Sequence, residues 1–139
     1  MDANVSELLG KTITEIKGGV GDDRMEIKTS DGCFYVFYHS QDCCESCDIE
    51  DIAGDIQDLI GEPLLMAEEV ESRENPADYK PGEYGQDSFT WTFYKLATRK
   101  GGVTIRWYGE SNGYYSESVD FICMLRPENG SLAASGTKP

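Results

Sequence analysis

The residues able to do chemistry in this chain of 139 fall in two short stretches. The first is His39-Ser-Gln-Asp-Cys-Cys-Glu-Ser-Cys47, which holds the only histidine and three of the five cysteines. His39, Cys43, Cys44 and Cys47 are the nitrogen and sulfur donors that tetrahedral zinc accepts. The spacing fits such a site poorly. Neighbouring side chains on an extended chain diverge, and the second knuckle that closed zinc sites use is missing unless Cys33 or Cys123 is brought near. A catalytic thiol is a second chemistry, with His39 four residues before Cys43. Asp42 and Glu45 oppose it, because nearby carboxylates raise a thiol pKa. A vicinal Cys43–Cys44 disulfide would close a strained ring. The favoured expectation is a packed strand-to-helix junction. Cysteine fills space there as a small hydrophobe, and Gln41, Asp42 and Ser46 satisfy loop amides. Its polar edge, His39, Gln41, Asp42, Cys43, Cys44 and Glu45, is a candidate contact surface. No cofactor is expected, with zinc on His39, Cys43, Cys44 and Cys47 as the alternative.

The second stretch is Arg106-Trp-Tyr-Gly-Glu-Ser-Asn-Gly-Tyr-Tyr-Ser-Glu117. Arg106, Trp107, Glu110, Asn112, Tyr114, Tyr115 and Glu117 are candidate binding residues. Aromatics beside an arginine bury area at low entropic cost and recur in pockets and interfaces. The competing expectation is a hairpin around Asn112-Gly113 with cross-strand tyrosines. Glu110 and Glu117 could form a carboxylate pair for acid–base work, but a pair flanking a turn is equally well solvated. No catalytic residue is assigned, and the balance leans away from an enzyme.

Elements must position these stretches. Residues 3 to 9 read as one short helical turn ending at Gly10. Strands are expected over 12–17, 24–29, 33–39, 64–70, 88–96, 103–108 and 119–125, mostly from alternation bounded by turn residues; 33–39 is apolar on both faces, as a covered central strand is, and 64–70 also fits a helix. In 88–96, Phe89, Trp91 and Phe93 share one face, and Thr90, Thr92 and Tyr94 the other. One main helix is expected over about 48–60. Ile49, Ile52, Ile56, Leu59 and Ile60 recur at helical spacing, Asp48 can cap the start, and Gly61 and Pro63 end it. The expected fold is α+β: a mostly antiparallel sheet or partly open barrel of about seven strands, with that helix on one face or across the open end. Residues 1–125 form one domain, with a mobile loop over about 72–86 and a disordered tail over 126–139.

Charge narrows the functions. Twenty-six acidic residues against 12 basic ones give a net charge of −14. Such a surface repels phosphate backbones, so general nucleic-acid binding is not expected. No apolar run approaches the length of a membrane span, and the start lacks the signature of a signal peptide. The expected compartment is a reducing cytoplasm.

The stretches QDCCE, DIAGDIQDLIG, SFTWTFY and RWYGESNGYYSE, with the opening LLGKTITEI, together resemble the DUF7448 family over about residues 8 to 122. That family occurs largely in bacteriophage and prophage genomes. Its pattern often carries an aliphatic residue where this chain has Cys47. The departure puts in doubt a Cys44-x2-Cys47 knuckle as a family feature. The resemblance implies a small phage accessory protein in the cytoplasm of an infected bacterial host. Its expected role is non-enzymatic binding of a host protein, with counter-defence as one use. A small nucleotide ligand held by Arg106 and the tyrosines, a metal site or enzyme using the two stretches, and a virion or assembly role are the alternatives.

Overall fold

The computed structural model describes residues 3–40, 45–74, 88–111 and 117–126. Eight strands are present among them: β1 Ile13–Lys17, β2 Arg24–Thr29, β3 Phe34–Tyr38, β4 Ser46–Ala53, β5 Met66–Ser72, β6 Ser88–Thr98, β7 Gly101–Ser111 and β8 Asp120–Leu125. They form two four-stranded sheets, ordered β1-β2-β3-β8 and β4-β7-β6-β5. Every pairing between neighbouring strands is antiparallel. The sheets pack face to face as a sandwich. The core holds Met25, Ile27, Tyr35, Phe37 and Phe121 of the first sheet with Ile49, Tyr94, Leu96, Ile105 and Trp107 of the second. Phe37 sits between them, its ring centroid 4.5 Å from Tyr94 and 4.6 Å from Phe121.

The expected α+β class is therefore corrected to all-β, and the partly open barrel to a two-sheet sandwich. The helix over 48–60 is absent. Its first half is the edge strand β4, and its second half is a single 3-10 turn, Ile56–Leu59. The physical reason lies in the register. Ile49 pairs with Trp107, Asp51 with Arg106 and Ile52 with Ile105. Glu50 is thus the extra residue of a β-bulge, which keeps Ile49 and Ile52 on the same side although they are three residues apart. A period of two with one residue inserted imitates helical spacing. β-branched isoleucines suit the strand as well.

Gly54 ends β4 in a left-handed conformation, φ +108°, and a Cβ there would lie 2.5 Å from the Gly102 carbonyl oxygen. Asp55 then caps the 3-10 turn, its carboxylate accepting from the Gln57 amide at 2.9 Å. Ile56 and Ile60 pack on the core and Leu59 is buried in it, so the apolar stripe read in the sequence does cover the core.

The open sides of the sandwich are tied by the chain itself. At one side the β1–β2 turn bonds to β4: the Gly21 amide donates to the Ile49 carbonyl and the Ile49 amide to the Asp22 carbonyl, both at 2.8 Å. At the other, the Ala3 amide donates to the Phe121 carbonyl at 2.9 Å, and the 3-10 turn Val5–Leu8 packs on β5. Such ties blunt exposed strand edges. The loop expected over 72–86 and the tail expected over 126–139 fall almost wholly outside the described residues. No helix among them is long and apolar enough to cross a membrane.

The two architectures predict opposite signs for one substitution. Gly54→Ala in a helix would stabilise by about 1 kcal/mol. In the sandwich, strain and the clash with Gly102 should cost about 2–4 kcal/mol. A urea titration of the variant reads the sign directly.

Candidate functional site

The two chemical stretches are the two crossovers between the sheets. The chain passes from the first sheet to the second between β3 and β4, and returns between β7 and β8. Both crossings lie at the same end of the sandwich, where Ser46 pairs with Glu110 and Cys47 with Gly109. Ser88 pairs with Ser111 there as well. The flanks of all three internal stretches outside the described residues, 41–44, 75–87 and 112–116, therefore lie at this end.

His39 follows directly on β3 and is buried, with its side chain 2% exposed. Its Nδ1 lies 2.7 Å from the Ser118 carbonyl oxygen and its Nε2 lies 2.9 Å from Glu45 Oε2. A carbonyl oxygen only accepts, so Nδ1 carries a hydrogen and donates. One further proton must lie between Nε2 and Oε2, whether the pair is imidazolium–carboxylate or imidazole–carboxylic acid. The Glu45 side chain is 0% exposed. Both ring nitrogens are thus taken by the protein, which leaves His39 no lone pair for a metal ion.

Glu117 is the second buried acid. Its Oε1 accepts from the Thr90 hydroxyl at 2.9 Å and its Oε2 from the Ser111 hydroxyl at 2.5 Å. Burial by itself would raise this carboxyl. The Ser111, Ser88 and Thr90 hydroxyls and the field of Arg73 outweigh it and hold the group below the usual glutamate range. Gly109 makes room for the strap, since a Cβ there would fall on the Glu117 carbonyl oxygen and lie 3.1 Å from Glu117 Cβ. Cys47 donates its thiol to the same carbonyl at 3.5 Å. Burial, then the neighbouring acids Asp48 and Glu117, push that thiol up to about 12. It is neither a nucleophile nor a ready thiolate ligand near neutral pH.

Strand alternation divides the second stretch between two faces. Trp107 lies in the core at 1% exposure, so it is a packing residue rather than a ligand contact. Arg106, Tyr108 and Glu110 point to the outer face. Arg106 Nε donates to Glu50 Oε1 at 2.6 Å, and its guanidinium sits 5.1 Å above the Trp91 ring. The Tyr108 hydroxyl donates to Glu110 at 2.8 Å. The paired-carboxylate idea fails here, because Glu110 lies outside the sheet and Glu117 inside. Next to Glu110, the Asp48 carboxyl is raised by burial and then by Asp23 and Glu110. These three acids form a crowded rim at the crossover end.

Of the candidate residues, the structure brings His39, Glu45 and Glu117 into one buried network and leaves Arg106 and Glu110 on the far face. Gln41, Asp42, Cys43, Cys44, Asn112, Tyr114 and Tyr115 lie outside the described residues. Sequence reading missed Ser88, Thr90, Gly109, Ser111 and Ser118. The signal for the hydroxyls was the period-two run Ser88, Thr90, Thr92 opposite the aromatic face. Among the described residues no group of three His, Cys, Asp or Glu is placed to hold a metal ion.

Two measurements test this network. His39→Ala and Glu45→Ala should each cost about 3 kcal/mol in a urea titration, because each leaves a buried polar group without its partner. The double variant should cost at least about 1 kcal/mol less than the sum; strict additivity would dissolve the pair. Glu117 has a depressed native pKa, so its stabilisation is present above the unfolded glutamate pKa of about 4.3 and is lost as pH falls through the native value. Glu117→Gln should flatten that acid limb of the stability profile.

The match to known families is broad. A model described as a domain of unknown function, DUF7448, covers residues 6–121. Comparison with curated proteins and with solved structures finds no match. With the family model spanning both crossovers and both sheets, the chain belongs to the DUF7448 family.

Proposed function

We propose that this chain is a non-enzymatic binding protein, a small phage-encoded accessory factor that engages a host protein in the infected cell, with counter-defence as the kind of role it serves. One observation carries the reading. The described groups that look chemical at the crossover end are saturated by the protein's own donors and acceptors. His39 spends both ring nitrogens on Ser118 and Glu45. Glu117 spends both oxygens on Thr90 and Ser111. Cys47 is held as a neutral thiol. Groups so engaged fix loop ends in place, and loops on a rigid β-scaffold are a common site of recognition.

The acidic rim supports a protein partner with a basic surface. Burial raises the Asp48 carboxyl and the neighbouring Asp23 and Glu110 raise it further, and a cationic partner would relieve that repulsion. A nucleotide is favoured less, because the Arg106 guanidinium is already neutralised by Glu50. Affinity capture on the full chain tests the proposal, with Asp48→Asn plus Glu110→Gln as the comparison. The partner's affinity should fall about tenfold in the double variant, and should weaken as salt rises from about 50 to 500 mM. A folded double variant that retains the same partner equally well would remove the rim from the interface. No specific partner at all would sink the binding role.

A further inference from the structure

We propose that the outer face of the β1-β2-β3-β8 sheet is the docking surface for a second copy of this chain. Its charges cancel on a protein that is otherwise strongly acidic. Register and alternation place Glu15, Glu26 and Asp120 there with Lys17, Arg24 and Lys28. Three acids thus face three bases, on a chain of net charge −14. They are locally paired: Arg24 with Glu26 at 2.8 Å, and Lys28 and Lys17 each with Glu15 at 3.5 Å. The outer face of the other sheet differs, with Asp48, Glu50, Asp51, Glu68 and Glu110 against Lys95 and Arg106. Two like-charged copies repel least where each presents no net charge. A partner of either sign finds no excess charge to read on that face.

Shape adds to charge. The half of this face made by β3 and β8 presents Phe34, Tyr38 and Ile122, each partly exposed, over a fully buried Val36. Met124 is the bulge residue of β8, 54% exposed, and Leu125 beside it is 59% exposed. Adjacent to them is a cavity of about 450 Å³ lined by Phe34, Leu125 and Cys33 together with Glu26, Lys28 and Thr14. A projecting apolar knob and a mostly apolar socket thus stand side by side on one surface. A two-fold axis between them seats each copy's Met124 in the other's socket, the self-complementary arrangement of an isologous dimer. Four strands about 4.8 Å apart, of five or six residues at about 3.3 Å each, give a flat footprint of about 350 Å² per copy, the size of a weak, reversible contact. The expected dissociation constant is therefore in the range of about 10–100 µM.

Sedimentation velocity on the full chain, over about 1 to 200 µM, is the test. The mass should approach twice 15.4 kDa at the upper end. Added salt should tighten the dimer, because it screens the repulsion between two acidic chains. Met124→Asp and Leu125→Asp, both at exposed positions, should each weaken association at least about tenfold. Val70→Asp, exposed on the other sheet, should leave it unchanged. A single-chain mass at every concentration overturns the proposal. So does a dimer that salt dissociates, or one that survives Met124→Asp and Leu125→Asp but not Val70→Asp.

Discussion

A carboxylate taken out of water must find donors inside the protein, and the crossover end of this sandwich is arranged around that requirement at Glu117. The inner face of β6 carries hydroxyls at Ser88 and Thr90 where a sandwich core would otherwise be apolar, and β7 supplies Ser111. The strap that bears Glu117 reaches these donors only because Gly109 has no side chain. Once Glu117 is seated on the second sheet, the next residue presents its carbonyl to His39 of the first sheet. One buried acid thereby fixes where the chain re-enters β8. The His39–Glu45 contact fixes where it leaves β3 for β4. The two crossings constrain each other.

That dependence explains what the sequence could and could not disclose. The strands expected over 24–29, 88–96 and 119–125 were legible because their residues alternate, in the last as far as the bulge at Met124. β4 was not, because the bulge at Glu50 spaces Ile49 and Ile52 by three, and spacing alone cannot separate a bulged strand from a helix. The choice was made by β7, a partner more than fifty residues away in the chain. Both chemical stretches stood out through their residue types, but their meeting did not, since it depends on which sheet each flanking strand joins. The inward direction of Thr90 was hidden for the same kind of reason. Phe89, Trp91 and Phe93 form the more apolar face of β6, yet Trp91 is buried on the outer face against Tyr108, ring centroids 4.6 Å apart, under the Arg106 guanidinium. Hydrophobicity ranks the two faces of that strand in the wrong order.

Burying a proton-bearing pair is not the cheapest way to join two loops. Replacing such a pair by packed apolar side chains is often neutral or stabilising in other proteins. What the polar version supplies is direction. His39 engages one partner on each ring nitrogen, a carbonyl of one crossover and a carboxyl of the other, and an apolar contact has no comparable preference for a single register. Around the network, Cys47 packs as a neutral thiol. His39, Glu45 and Glu117 are thus spent on geometry. Losing the buried network would therefore first disturb where the two crossovers sit, next to the ends of β3 and β8 that carry Phe37 and Phe121 into the core.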